Sequence, residues 1–576
     1  MRSSPGRDAS ASSPREHPVA AMTARRAVLL LLLGTMLVGA WRAYGYLRLH
    51  GLGLVSRLMD PIHPPREVTW DPGPSAPAAP IGERPPNIVV IVADDLGYND
   101  LTWAGGGVAN GAVATPHIDS IARGGVSFSA GYADNATCAP SRAAILTGRY
   151  PNRFGFEFTP APKVFMRLVA SMMRDQPGAL RAPIYHDERE RDVPSMDQEG
   201  VPPEEITLAE LLRAHGYHTV GLGKWHLGEA PPLRPEAQGF DEYLGFYPGA
   251  SLYLEADDPR AVNSIQEFDP IDVFLWANLP FAVRKDGGER FRPGEYMTDY
   301  LGDQAAAAIA ANRNRPFFLY FAPNAPHTPL QALRADYDAL AAIGEHRLRV
   351  YGAMIRALDR AVGRVLDALA ANGLEENTLV FFTSDNGGAN YIGLPDINRP
   401  YRGWKMTFFE GGVHSPFFVK WPAVLPAGAT FPAPVAHVDI FATAAAAAAA
   451  PLPSDRPIDG VNLIPYLRGE TTEAPHRALF WRSGHYETVL AGGWKLQVSE
   501  RPKRDWLFHL DDDPTERVDL SAGNPAKVQE LKTLLAAHDA EMAPPAWPSL
   551  IEGPIAIDHP LGVPDSANDE YVYWDN

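Results

Sequence analysis

The sequence predicts an α/β protein: a large, mostly parallel or mixed sheet sandwiched by helices, with a small C-terminal antiparallel-sheet subdomain. Three observations carry this. Asn87 to Ala93 (N-I-V-V-I-V-A) is a continuous apolar, β-branched run, as expected of a strand buried on both faces of a mostly parallel sheet. Similar short runs recur at His218 to Leu222, Phe317 to Phe321 and Leu379 to Phe382. Helical patterns lie between them: Leu208, Leu211 and Leu212 on one face, the alanine-rich Asp303 to Ala311, and the amphipathic Val350 to Ala371. From about Arg477 the pattern changes to short strands at Ala478 to Trp481, Glu487 to Leu490, Lys495 to Val498 and Trp506 to Leu510, with Gly492-Gly493 as a turn and a helix from Lys527 to Glu541.

The 576 residues, 45% of them hydrophobic, can bury a large core, and α/β enzymes often use such a length for one large domain with an appendage. With 51 basic against 69 acidic residues the net charge is -18, which argues against nucleic acid or an anionic membrane surface as a general partner but leaves room for a basic pocket. Cys138 is the only cysteine, so no intrachain disulfide can form. No internal repeat is evident.

Met1 to Arg26 is polar, and Arg15, Arg25 and Arg26 precede an apolar run from Ala27 to Trp41 that Ala43 to Leu47 extends to about the twenty residues a bilayer needs. Arginines on the N-terminal side place that end in the cytoplasm and the rest outside. Val38-Gly39-Ala40 offers a signal-peptidase site, but the long polar leader and the tyrosines and arginines after the run favour an uncleaved anchor. Pro61 to Pro86, rich in proline and small residues, reads as a semi-rigid spacer holding the catalytic unit off the membrane, with a strap packed on the domain as the alternative. The expected division is a cytoplasmic leader over 1–26, an anchor or signal peptide over 27–47, a linker over 48–84, a catalytic domain over 85–465, an α+β subdomain over 466–545 and a tail over 546–576.

An insertion lies between Glu157 and Glu205. Within it Lys163 to Arg174 puts Val164, Phe165, Leu168, Val169, Met172 and Met173 on one helical face. Core packing is the ordinary use of such a face; the sharper alternative is a helix lying on the membrane beside the anchor, or lining the substrate entrance. Ala444 to Ala450, continuing His437 to Phe441, reads as a buried packing helix.

Each strand candidate ends in polar residues, and ligands of doubly wound sheets bind beyond the carboxyl ends of the strands. Asp94 and Asp95 follow the first, Gly223-Lys224-Trp225-His226 the second, Asn324-Ala325-Pro326-His327 the third and Ser384-Asp385-Asn386-Gly387-Gly388 the fourth. Asp94, Asp95, Asp385 and Asn386 are hard oxygen donors, which suit calcium or magnesium and suit zinc poorly. Singly, Asp-Asp and Asp-Asn-Gly-Gly are ordinary turn sequences, and His327 and Lys405 are ordinary loop residues. Their joint position after buried strands gives them weight. Before the helix expected from Pro140 to Gly148 stands Cys138, where free N–H groups and the helix dipole favour a thiolate or a bound oxyanion, with Arg142 one turn away.

The string C-A-P-S-R-A-A-I-L-T-G-R from Cys138 resembles the C-x-P-S-R-x-x-x-L-T-G-R signature of type I sulfatases, formylglycine-dependent members of the alkaline phosphatase superfamily. The motifs D-D-L-G-Y, G-K-W-H-L-G, A-P-H-x-P, S-D-N-G-G and R-G-x-K-x-x-x-x-E-G-G are also present, the last running from Arg402 to Gly412. Leu507 to Leu520 is similar to a segment of the small C-terminal sulfatase subdomain. The resemblance implies an alkaline-phosphatase-like fold and hydrolysis of sulfate monoesters. It implies that Cys138 becomes formylglycine, whose hydrate is the nucleophile, and that one calcium ion is held by Asp94, Asp95, Asp385 and Asn386 in contact with position 138. It further implies that Arg142 steadies the hydrated aldehyde, Lys224 and Lys405 neutralise sulfate oxygens, His327 with Lys405 assists the departing alcohol, and His226 deprotonates the second hydroxyl. A thiol would form a sulfated enzyme with no easy exit, whereas a geminal diol can eliminate sulfate through its second hydroxyl.

Pocket walls are expected in the aromatic-rich stretch Ser251 to Pro293, which follows the family-like Gly239 to Gly245. The implied partners are an aryl sulfate or sulfated sugar as substrate, a formylglycine-generating maturation enzyme, and the membrane through the N-terminal segment, with no nucleic acid. A domain outside the cytoplasm, periplasmic or extracellular, follows from the anchor and from arginine- and alanine-rich usage typical of GC-rich bacterial coding. Two alternatives stand: a phosphonate or phosphate monoester hydrolase of the same superfamily, and an inactive membrane-tethered binding homologue. Two-metal phosphatases typically carry Asp-His where this chain has Asp385-Asn386, and a protein without chemistry has no need of the intact motif set.

Overall fold

Strands apolar on both faces need cover on both faces, and the computed structural model, which describes residues 19–176 and 179–576, provides it with helices. Residues 1–18 of the expected leader lie outside the described residues. The elements that position the site are helices α1 (Val19–Met59), α2 (Cys138–Thr147), α3 (Lys163–Arg174), α4 (Pro270–Asn278), α5 (Met297–Ala311), α6 (His346–Ala371) and α7 (Val438–Ala447). The central sheet is built from β1 (Asn87–Ala93), β2 (Val126–Phe128), β3 (His218–Lys224), β4 (Glu242–Phe246), β5 (Arg284–Lys285), β6 (Phe317–Ala322), β7 (Thr378–Ser384), β8 (Phe417–Lys420) and β9 (Ala429–Phe431). Their order is β9-β2-β8-β7-β1-β6-β3-β4-β5. Strands β7, β1, β6, β3 and β4 run parallel, and β8 and β5 flank them antiparallel.

Alternation along β1 divides its side chains between two cores. Val89, Ile91 and Ala93 join Leu301, Ile309, Met354 and Leu358 of α5 and α6, while Ile88, Val90 and Val92 join Ala143, Ile145, Leu146 and Phe441 of α2 and α7. Register then fixes the functional ends. Ala93 pairs with Ser384 and Ala322 with Gly223, so Asp94 and Asp385 leave the sheet side by side, with Lys224 following on the same edge.

The C-terminal unit is a four-stranded antiparallel sheet, Leu479–Ser483, Tyr486–Ala491, Trp494–Glu500 and Lys503–His509, backed by the helix Pro525–Asp539. The tail does not trail away: Ile551–Ala556 pairs with Tyr571–Asp575 and with Ile184–Tyr185 of the insertion.

The stretch expected to be a spacer or a strap is laid out as a strap. Helix α1 runs unbroken to Met59, and the chain after it lies along the domain: Trp70 Nε1 donates to Gln304 (3.1 Å), Gly73 N to Ala311 O (3.0 Å), and Arg315 to Asp71 (3.0 Å). Proline content sets the stiffness of such a segment but says nothing of whether a surface is shaped to receive it. Arg26 to Met59 is the one helical stretch among the described residues long and apolar enough to cross a membrane.

His437 is wholly buried between Thr383 of β7 (2.7 Å) and Ser141 of α2 (3.3 Å), and burial lowers its pKa to about 3. Because the folded value lies below the unfolded one, the unfolded chain binds a proton that the folded chain refuses. Stability therefore falls as pH drops below about 6.5, by about 2 kcal/mol for this group between pH 7.5 and pH 5. Urea unfolding of His437→Gln should lack that increment; an acid dependence equal to the parent's would refute the assignment.

Candidate active site

Four strand ends and the start of α2 converge on one buried charge cluster. Asp94, at the end of β1, accepts from Lys224 Nζ (2.8 and 2.9 Å) and lies 3.5 Å from Arg142 Nη2. Arg142 Nε donates to Asp385 at the end of β7 (2.8 Å). Asp95 accepts from Lys405 Nζ (2.7 and 2.9 Å), Asn386 Nδ2 (2.8 Å) and the Tyr391 hydroxyl (2.8 Å), and His327 Nε2 stands 3.7 Å away. Cys138 Sγ lies 3.1 Å from Lys405 Nζ, 3.4 Å from Asp94 and 3.6 Å from Asp95. All ten residues singled out from the sequence thus gather here, although the His226 side chain makes no hydrogen bond among the described residues; its Nδ1 is buried, and its ring packs against Gly249.

The backbone is shaped for this. Gly148, at φ 66°, ends α2, and Asp95, His226 and Met406 adopt left-handed conformations, with φ of 61°, 62° and 66°. A Cβ on Gly387 would lie 1.9 Å from Gly411 O, so S-D-N-G-G and E-G-G pack backbone to backbone. Exposure is graded: Asp94, Asp385, Arg142 and Lys224 are at 0%, whereas Cys138, Asp95, Lys405, His226 and His327 retain 2, 4, 6, 7 and 9%. The first group is the floor and the second the mouth.

Burial and charge compete over protonation. Burial would raise Asp94 and Asp95, but Lys224 and Lys405 respectively, with His327, hold both below the ordinary carboxylate range. At Asp385 burial outweighs Arg142, and the pKa rises to about 6. Asp95 overcomes burial at Lys405 and raises it well above the usual lysine value. Burial, then Lys224, pushes His226 well below its ordinary value, and burial lowers His327 against the pull of Asp94 and Asp95. Cys138 corrects an expectation: burial and Asp385 push its thiol well above normal in spite of the helix start, so a thiolate is disfavoured here.

Could these residues hold a cation? Asn386 Oδ1 is buried without a hydrogen-bond partner, and Asp94, Asp95, Cys138 and His327 offer ligand atoms within 4.8 Å of one another. Three carboxylates and an orphaned amide oxygen fit a hard divalent ion.

Sequence reasoning missed the supports. Tyr391 bonds Asp95, and the Tyr253 hydroxyl lies 2.6 Å from Asn324 O and 2.8 Å from His327 O. Thr328 donates to Asp272 (2.8 Å). No local pattern marks Tyr391, Tyr253 or Asp272, each of which is far from its partner in the sequence.

A family model described as Sulfatase matches residues 86–450. Among relatives, an N-acetylgalactosamine-6-sulfatase of Canis lupus familiaris is 32% identical over 473 residues, covering 76% of this chain and 82% of its own. A steryl-sulfatase of Mus musculus is 33% identical over 481 residues, covering 71% and 69%. A solved structure described as Ps i-CgsB in complex with k-i-k-neocarrahexaose matches with a TM-score of 0.66 at 31% identity, over 81% of this chain and 95% of that one. A phosphonate monoester hydrolase of Agrobacterium radiobacter, at 18% identity and a TM-score of 0.53, shares the fold.

The loop bearing Lys405 is pinned from the C-terminal sheet. Lys495, wholly buried, donates to Glu410 (2.7 Å) and lies 3.1 Å from Glu516, and Glu410 begins the short helix Glu410–Val413 that closes the motif. Lys495→Ala leaves two buried carboxyls without their shared cation and should lower the unfolding free energy by about 3–5 kcal/mol. Urea titration reads this directly, and an unmoved midpoint would show that Lys495 does not pin the loop.

Proposed function

The chain belongs to the sulfatase family and is a sulfuric ester hydrolase, and from that premise we propose that it cleaves sulfate monoesters with a formylglycine formed from Cys138 and one calcium ion. The observation that carries the reading is the buried group of Asp94, Asp95, Cys138 and His327, whose ligand atoms lie within 4.8 Å of one another, beside the unpartnered Asn386 Oδ1 and the Arg142-bound Asp385. In this environment Sγ stands in for the hydroxyl oxygens of the hydrated aldehyde, which supplies one hydroxyl to take the sulfuryl group and a second whose deprotonation expels sulfate. Calcium, held by Asp94, Asp95, Asp385 and Asn386, would supply Lewis-acid polarisation of sulfate and nucleophile.

The chain's own groups do the rest. Arg142, Lys224 and Lys405 balance the three carboxylates, so the two added charges of a divalent ion match a monoanionic ester plus one developing oxyanion. Lys405, 3.1 Å from Sγ, orients the nucleophile, and together with Lys224 faces the sulfate oxygens. His226, kept neutral by burial and Lys224, is assigned to accept the second hydroxyl's proton, a step that needs its basicity restored when charge develops beside it. His327 engages Thr328 O through Nδ1 (2.5 Å), leaving Nε2 at the mouth for the leaving alcohol.

The N-terminal helix is read as an uncleaved anchor with the catalytic domain in the periplasm or outside the cell, and a maturation enzyme must install the aldehyde before folding. Aryl sulfates are the test substrates and a sulfated sugar the natural class the reading favours. Purified, matured protein should release sulfate from an aryl sulfate far faster than phosphate from the matching aryl phosphate, and the peptide carrying position 138 should contain the aldehyde. A phosphate preference would reject the assignment, and a persistent thiol without turnover would support the inactive reading. Asn386→Leu should weaken calcium binding by about tenfold or more in calorimetry; unaltered affinity would remove Asn386 from the ligand set.

A further inference from the structure

Away from the catalytic cluster, three parts of the chain meet over a pair of buried carboxylates. In the tail, Glu552 of Ile551–Ala556 stands directly opposite Asp575 of Tyr571–Asp575, and the two residues are 1% and 4% exposed. Like charges directly across an antiparallel pair repel, and burial strengthens the repulsion, so this pairing calls for positive charge beside it. Arg501 supplies one unit, donating to Glu552 through Nη2 (2.7 Å) and through Nε. His186 of the insertion adds a contact, its Nε2 lying 2.7 Å from Glu552 Oε1. Burial raises the pKa of Asp575, so its charge is the one short of a partner.

His485 is aimed at this pair. It sits in the Gly484-His485 turn between Leu479–Ser483 and Tyr486–Ala491 of the C-terminal sheet, and that turn is pressed against the tail. A Cβ on Gly484, whose φ is 56°, would lie 1.9 Å from Asp575 Oδ2, so only glycine permits the approach. His485 N then donates to Asp575 Oδ2 (3.0 Å). The imidazole Nε2 stands 3.5 Å from Glu552 Oε2 and 3.6 Å from Asp575 Oδ2, and ligand atoms of all three residues lie within 4.8 Å of one another. Neither ring nitrogen, both buried from solvent, makes a hydrogen bond among the described residues.

These distances say what the group is shaped for. A proton shared between imidazole and carboxylate draws N and O to about 2.7–3.2 Å, whereas a tetrahedral ion with bonds of about 2.0–2.2 Å holds its ligand atoms about 3.4 Å apart. Nε2 stands close to the second spacing from both carboxylates. Burial would lower the pKa of His485, but Glu552 and Asp575 outweigh it and raise it, the mark of a negative potential at the ring that draws a cation. Imidazole together with carboxylate oxygen suits zinc better than calcium or magnesium, which prefer oxygen alone. Arg501 and His186 hold Glu552 from outside, as the partners behind a metal ligand do.

We propose that His485, Glu552 and Asp575 bind one zinc ion, separate from the catalytic cluster, which clasps the tail to the C-terminal sheet, with water as the fourth ligand.

The test uses the full chain, stripped by a chelator and returned to excess calcium, with zinc as the titrant in calorimetry. The parent should bind one zinc at this site, and at a free concentration about a hundred times its Kd the thermal midpoint should rise by about 2 °C or more. His485→Gln and Asp575→Asn should each weaken that binding about a hundredfold or more, while Asn386→Leu, which alters the catalytic cluster, should leave it within about twofold. Should the first two variants fail to fold, cobalt in place of zinc decides: the parent and Asn386→Leu should both show the visible absorption of tetrahedral coordination. No zinc binding by the parent, undiminished binding in both His485→Gln and Asp575→Asn, loss of binding in Asn386→Leu, or an octahedral cobalt spectrum overturns the proposal and leaves His485 as a protonated partner of the two carboxylates.

Discussion

Everything at the centre depends on the pairing of three buried carboxylates with three buried cations at the carboxyl edge of the sheet. Removing Asp94, Asp385, Lys224 and Arg142 from water is costly, and their mutual attraction offsets that cost only while every partner stays in place. The protein meets this condition with its stiffest part. Asp94 and Asp385 leave adjacent parallel strands in register, Lys224 ends a third, and Arg142 rides on a helix packed against the same strands. No loop motion can separate them without breaking the sheet. Such an arrangement is poor evidence of stability and good evidence of a field prepared in advance for charge that develops elsewhere.

The mouth is built on a second principle. Lys405, His226 and His327 come from loops, and loops hold position only when something behind them does. Behind Lys405 stand glycine backbones in direct contact and the Lys495 network of the C-terminal sheet; behind His327 stand Tyr253 and the Asp272–Thr328 bond. The small sheet therefore braces the cluster, although it places no charged group on it.

Legibility in the sequence follows the range of the interaction. Asn87–Ala93 was readable because a strand buried on both faces must be apolar throughout, and α3 because a 12-residue amphipathic period is local. That the ten candidate residues gather was readable through motifs, which store long-range geometry as short strings. What had no local signature was not readable: Tyr391 on Asp95, and the seat for Trp70 that decides between the spacer and the strap. The thiol expectation failed for a related reason. A helix start is visible in sequence, but the burial and the Asp385 charge that oppose it are not.

That failure bears on the chemistry. An environment that keeps a thiol protonated offers little to a sulfur nucleophile, which must ionise before it attacks. The same environment suits a neutral hydrated aldehyde: Lys405 Nζ can donate to one oxygen, the Asp94 and Asp95 carboxylates can accept from the hydroxyls, and no full charge need exist at position 138 until a cation and a substrate arrive together. On the proposed reading, the burial that penalises a thiolate at Cys138 carries no such penalty for an uncharged hydrated aldehyde, whose hydroxyls find Lys405, Asp94 and Asp95 as partners.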